Sequence, residues 1–145
     1  MLRVKLLSPD AKLPVVAHAG EDLGYDIYTV ENVVLQPSQA GRKIHTGIAV
    51  EARHPETDRP LGLLIRDRSS LASRGLAITG GVVDAGYRGE ILVVMNNLSG
   101  ETVEFKAGEK IAQMVPVPVL TGEVVPVDDL QNSLRSDRGF GSSGK

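Results

Sequence analysis

The chain has no cysteine and no tryptophan in its 145 residues. Without thiols it can form no disulfide, no thiolate nucleophile and none of the His/Cys zinc sites that nucleobase deaminases use. Its three histidines, His18, His45 and His54, are scattered without ligand spacing. A bound metal is therefore expected to be a hard cation on oxygen ligands. Aromatic residues amount to only 3%, so the core must be built from Val, Leu, Ile and Ala. Neither sign of charge dominates: the formal net charge is −2 and no basic stripe marks a polyanion-binding face. Long apolar runs are missing as well, since none approaches the ~20 residues of a membrane span. The opening MLRVKLLSPD is too short and too charged for a signal peptide. These absences predict a soluble, cytoplasmic protein with no membrane or direct nucleic-acid contact.

What is present is strand-like nearly throughout. LRVKL (2–6), DIYTV (26–30), NVVLQP (32–37), KIHTGIAVEA (43–52), LGLLIR (61–66), LAITGGVVD (76–84), EILVVMNN (90–97), TVEFKAG (102–108), IAQMVPVPV (111–119) and EVVPV (123–127) are short and rich in Val and Ile. Gly, Pro, Asn or Asp bounds each of them. With 16 Gly and 8 Pro, the pattern predicts an all-β sandwich, barrel or jelly roll. Only RSSLASRG (68–75) reads as a helical turn, with Asp67 or Ser69 as its cap and Gly75 as its end. The prolines of VPVPV point to an edge strand or a crossing between units. The expected division is a β domain over residues 1–127 and an arm over 128–145, where the pattern is lost.

Five stretches have residues suited to phosphate chemistry, and each also has a plainer reading. GFGSSGK (139–145) has P-loop spacing, but that motif also needs a Ser or Thr after its Lys and a helix to carry it. What is left is a Gly/Ser run whose N–H groups can cradle an anion, or a disordered tail. In RDRSSLASRG (66–75), arginine forks and serine hydroxyls match phosphate geometry; the alternative is a charged turn. In GGVVDAGYRGEILVV (80–94), Asp84 ends an apolar run three residues before Tyr87. That is ordinary turn chemistry, or a base beside a ring platform. GEDLGYDIYTV (20–30) offers Glu21, Asp22 and Asp26, acids that belong near phosphates only with a divalent cation between them. In GEKIAQMVPV (108–117), Gln113 is a polar residue in an apolar run and most simply alternates outward.

Taken in order, GYDIYT, RSSLAS, GVVDAGYRGEI, GEKIAQM and RSDRGFGSSG resemble the five motifs of the trimeric dUTP pyrophosphatase (dUTPase) family. The resemblance covers essentially the whole chain. It implies a β-clip or distorted jelly-roll subunit working as a homotrimer, with dUTP as substrate and Mg²⁺ as cofactor. It implies water attack on the α-phosphorus, giving dUMP and pyrophosphate and keeping uracil out of DNA. Asp84 would be the base that orients or deprotonates the water, and Arg135 would act like an arginine finger on the γ-phosphate. Arg68, Ser69, Ser70 and Gln113 would hold the phosphates. Residues 76–81 would read the uracil edge through backbone groups, and Ile78, Gly81 and Val82 would contact the substrate. Tyr87 would lie under the deoxyribose and leave no room for a 2′-hydroxyl. Phe140 would stack on uracil when the C-terminal arm closes over a neighbour's site, with Gly141, Ser142 and Ser143 completing the phosphate cradle. Asp26 would hold magnesium through water. Ser70 stands where many members have Gly, Leu23 where a small residue is common, and Arg138 where a glycine is usual. HPETDRP (54–60) looks longer than the corresponding loop.

Two other functions compete. The related dCTP deaminases share the fold and the trimer, but their chemistry resembles one that needs a Glu where this chain has Val94 and an Arg where it has Ser73. A nucleotide-gated regulatory binding protein is the second.

Overall fold

A computed structural model of the chain describes residues 1–133. The expectations for Arg135, Arg138, Phe140, Gly141, Ser142 and Ser143 lie outside them. The strands are Leu2–Leu6 (β1), Tyr25–Tyr28 (β2), Val33–Leu35 (β3), Arg42–His45 (β4), Ile48–Arg53 (β5), Pro60–Arg66 (β6), Leu76–Thr79 (β7), Val82–Val83 (β8), Leu92–Asn97 (β9), Val103–Phe105 (β10) and Lys110–Pro118 (β11). A single helical turn, Ser69–Ala72 (α1), follows β6. The chain is thus nearly all-β, as expected. Among the described residues no helix is long and apolar enough to cross a membrane.

Alternation sets the faces. Val33 and Leu35 are buried while Val34 is exposed, and Val103 and Phe105 are buried while Glu104 is exposed. The antiparallel register pairs Val103 with Leu35 and Phe105 with Val33, so the apolar sides of β3 and β10 face the same core. The largest sheet runs β1-β5-β6-β11-β2, with β8 also paired to β6; a second runs β4-β9-β7. Between them lies an aliphatic core that includes Ile27, Ile44, Ile48, Ile91, Val93, Met95, Ile111 and Met114. Cutting a fully buried member such as Ile27 or Met114 to Ala is expected to cost about 2–5 kcal/mol.

Several local expectations give way to tertiary structure. KIHTGIAVEA is two strands, because the chain turns at Thr46-Gly47, where Gly47 has φ 66°. LAITGGVVD likewise splits into β7 and β8 at Gly80, with φ 61°. Asp67 and Ser69 do not cap α1: Arg68 is the N-cap residue and offers no side-chain hydrogen bond. The Asp67 carboxylate instead accepts the Ile78 N–H at 2.9 Å. Gly75 does close the turn, at φ 81°. EVVPV forms no strand, and Val124, Val125 and Val127 are exposed. Beyond Met114, β11 pairs with β6 and with no second strand among the described residues, so Pro116 and Pro118 fall on an edge of the described sheet.

Candidate functional site

The sheet order brings three of the singled-out stretches together. β11 lies between β6 and β2, and its Gln113 is opposite Arg66 on one side and Asp26 on the other. The chain leaves β6 through Asp67 and Arg68 into α1, which places Ser69 and Ser70 at the same end. The result is a cleft of ≈ 510 Å³ lined by Asp26, Arg68, Ser69, Ser70, Lys110 and Gln113, with the loop from Ala17 to Gly24 as its far wall. In a regular strand, residues three apart point to opposite faces. Lys110 and Gln113 reach the same cleft because the register slips between Lys110 and Ala112, leaving Ile111 and Ala112 both buried. The irregularity re-aims one side chain, as bulges commonly do beside functional sites.

Asp26 is the electrostatic centre of the cleft. One carboxylate oxygen accepts Arg68 Nε at 2.9 Å and the other meets Lys110 Nζ at 2.7 Å. Among the described residues the terminal nitrogens of the Arg68 guanidinium have no partner and can meet the oxygens of an anion. Gln113 is held by its Nε2, which donates to the Asp67 carbonyl at 2.8 Å. Gly24 leaves room for it: a Cβ at Gly24 would run into Gln113 Oε1. In the far wall, Asp22 accepts the His18 backbone N–H at 2.9 Å and meets His18 Nδ1 at 3.1 Å. These contacts, the backbone N–H first, hold the Asp22 carboxyl below its ordinary range. Two cations, Arg68 and Lys110, face three carboxylates, Glu21, Asp22 and Asp26, so the cleft has no positive surplus.

A second hollow, of ≈ 230 Å³, lies where β7 turns into β8 and the chain returns toward β9. Gly80, Val82, Val83, Asp84, Tyr87, Glu90 and Val94 are among its walls. Asp84 is exposed, and among the described residues its carboxylate takes no hydrogen bond or ion pair; its backbone carbonyl accepts the Tyr87 N–H at 3.0 Å. The Tyr87 hydroxyl donates to the Glu90 carbonyl at 3.1 Å. Ile78 and Gly81 lie beside the hollow, not in its lining. The Ile78 N–H is given to Asp67, and the Gly81 carbonyl accepts the Ile65 N–H at 2.7 Å. A side chain at Gly81 would strike the Ile65 carbonyl, so Gly81 serves backbone packing. Val94 presents an apolar wall where deamination would need a carboxylate.

Arg68, Ser69, Ser70, Gln113 and Asp26 therefore meet in one place, and Asp84, Tyr87 and Val82 in another. Among the described residues none lines both. Sequence reasoning missed Lys110, Gly24 and Gly80. The signal for Lys110 was its place three residues before Gln113, which reads as the wrong face until the register slip is known.

Residues 11–144 match the dUTPase family model. The deoxyuridine 5'-triphosphate nucleotidohydrolase of Hydrogenobaculum sp. (strain Y04AAS1) is 44% identical over 146 residues, covering 99% of this chain and 97% of the relative. That of Alkaliphilus metalliredigens (strain QYMF) is 39% identical, covering 99% and 96%. Among solved structures, a mutant Staphylococcus bacteriophage 80alpha dUTPase with dUpNHpp superposes with a TM-score of 0.88 at 31% identity, covering 100% of this chain and 99% of that one. A phage phi11 dUTPase, described as coordinating a structural Mg(II) ion, gives a TM-score of 0.76 at 32% identity, covering 89% and 97%.

Proposed function

Because the chain belongs to the dUTPase family, with its jelly-roll fold, we propose that it hydrolyses dUTP to dUMP and pyrophosphate by water attack on the α-phosphorus. The observation that carries the reading is the gathering of Asp26, Arg68, Ser69, Ser70, Lys110 and Gln113 in one cleft, with Asp84 and Tyr87 beside another. The reaction would keep uracil out of DNA and supply dUMP, and we place the enzyme in the cytoplasm.

The hollow takes the nucleoside and the cleft takes the triphosphate. Displacement at phosphorus needs positioning and charge neutralisation more than covalent help. Arg68, with its fork held by Asp26, offers its terminal N–H groups to phosphate oxygens, and Ser69, Ser70 and Gln113 add donors. Asp84 is the base: its carboxylate, with no partner among the described residues, is free to orient a water and take its proton. Val82 and Gly80 border the base, and Tyr87 supports the deoxyribose. Arg135, Phe140, Gly141, Ser142 and Ser143 belong to an arm over 128–145 that closes on the bound nucleotide.

The separation of hollow and cleft supports a homotrimer in which one copy's Asp84 and Tyr87 serve another copy's Arg68 and Gln113. Val82 at 74% exposure, and Leu120, Val124, Val125 and Leu130, leave apolar surface for those contacts.

Magnesium fits the donor set in one way. Among the described residues no group of three or more His, Asp or Glu could cage a metal. Asp26, whose two oxygens already meet Arg68 and Lys110, suits an ion that keeps its waters and takes most other ligands from phosphates. A triphosphate brings close to four negative charges to a cleft with no positive surplus, so an added cation is needed. Bound there beside Asp26, Mg²⁺ would supply charge neutralisation of the phosphates.

The test is pyrophosphate release from dUTP, dTTP, dCTP and UTP, with and without Mg²⁺. Release from dUTP alone, dependent on the metal, is expected. Equal release from UTP would remove the role given to Tyr87, and a deaminated product from dCTP would overturn the reading.

A further inference from the structure

The hairpin that carries Tyr87 is fastened to the turn between β4 and β5 by a set of contacts centred on Glu90. Glu90 Oε1 accepts the Gly47 N–H at 2.8 Å, and Glu90 Oε2 lies 2.9 Å from His45 Nδ1. Next along the chain, the Ile91 N–H donates to the Ile48 carbonyl at 2.8 Å. The buried Thr46 hydroxyl donates to the Ile91 carbonyl. The turn itself is a firm anchor. Gly47 is buried at φ 66°, and a Cβ there would meet Ala11 Cβ and Val30 Cγ1 at 2.9 Å.

The Tyr87 ring hangs from the other side of the same segment. Its hydroxyl donates to the Glu90 carbonyl, and a Cβ at Gly89 would collide with Tyr87 Oη and Cζ. The hydroxyl end of the ring therefore rests against the main chain of residues 89–90, and that main chain is tied down through the Glu90 carboxylate. Burial pushes this carboxyl up, but His45 and the N–H groups of Gly47 and Thr46 outweigh burial and hold it below its ordinary range. Glu90 is charged at neutral pH.

We infer that Glu90, anchored on Gly47 and His45, is a positioning residue for the Tyr87 ring and a determinant of the choice between deoxyribose and ribose. The inference rests on the reading of Tyr87 as the ring beneath the sugar. Steric rejection of a 2′-hydroxyl works only if the rejecting group cannot give way. A ring lying on a loose main chain retreats by a few tenths of an ångström and admits the hydroxyl. Glu90 acts through Tyr87 and takes no part in moving a proton.

The experiment measures kcat/KM for dUTP and for UTP, with saturating Mg²⁺, in the parent and in Glu90→Ala, Glu90→Gln, Tyr87→Ala and the double variant Glu90→Ala/Tyr87→Ala. Melting temperatures are followed alongside. Tyr87→Ala loses discrimination. Glu90→Ala is expected to lower the dUTP/UTP ratio about tenfold, mostly by raising turnover of UTP. Glu90→Gln, whose amide oxygen still accepts from Gly47, keeps most of the ratio. The double variant discriminates no worse than Tyr87→Ala alone, because the two residues act as one unit. An unchanged ratio in Glu90→Ala beside a lost one in Tyr87→Ala overturns the inference, and so do additive losses. A ratio left intact by Tyr87→Ala overturns the reading of Tyr87 itself, and the inference with it. If Glu90→Ala does not fold, His45→Ala removes one of the two side-chain anchors. A drop of about threefold is then expected, and no drop overturns the inference.

Discussion

Replacing Asp84 with Asn tests the proposed base in a way that separates chemistry from folding. The Asp84 carboxylate is exposed and has no protein partner among the described residues, while the turn it belongs to is held by its backbone carbonyl. Asn is nearly the same shape and is at home in turns. Surface changes away from special features usually stay within about 0.5 kcal/mol, so the melting temperature should move by no more than about 2 °C. Binding should also survive, or tighten a few-fold, since one negative charge beside the phosphates is gone. The chemical step is different. Loss of a positioned general base is worth roughly 10²–10⁴ in rate, or about 3–5 kcal/mol in the barrier. The assays are pyrophosphate release at saturating dUTP and Mg²⁺, calorimetric titration with dUpNHpp, and thermal melting. A rate within tenfold of the parent would refute Asp84 as the base. A large loss of melting temperature would refute the claim that its carboxylate is free.

Two further predictions follow from the geometry. Gly24→Ala should raise KM for dUTP about tenfold, because its Cβ runs into the Gln113 side chain, at Oε1 and also at Cβ and Cδ, and forces it to move; an unchanged KM would mean that Gln113 does not hold substrate. Glu90 has a folded-state pKa below its ordinary value, so its stabilising contribution is present above that ordinary value and lost as pH falls through the folded one. The urea midpoint of the parent should therefore exceed that of Glu90→Gln at pH values above the ordinary carboxylate range and converge with it once the Glu90 carboxylate is protonated, and a gap that persists undiminished at the acid end would contradict the sign.

The motif residues could be read along the chain, but not their assembly. The stretches around Asp26, Arg68 and Gln113 stand out by composition, whereas their meeting depends on β11 pairing with β6 and β2, contacts between segments far apart in sequence. Short strands were legible where one face is wet, as in Val33–Leu35. They blurred where alternation fails, as in residues 48–52, which are buried at every position but Glu51. Lys110 was hidden by the register slip beside Ile111. EVVPV has strand composition but no partner edge within the described chain, and composition alone cannot distinguish a paired segment from an unpaired one. Asp67 looked like a cap because it precedes α1. Its carboxylate serves β7 instead, a tertiary choice that overrides local preference.

The division of one site between copies is tested most directly by mixing two defective chains. Asp84→Asn and Arg68→Ala are co-expressed with different tags, and trimers bearing both tags are isolated. In a closed ring holding both kinds of chain, one junction joins an intact Arg68 to a neighbour's intact Asp84, so activity should return to about one third of the parent. Mixed trimers as inactive as the two separate variants would show that cleft and hollow serve the same chain, and would contradict the shared site.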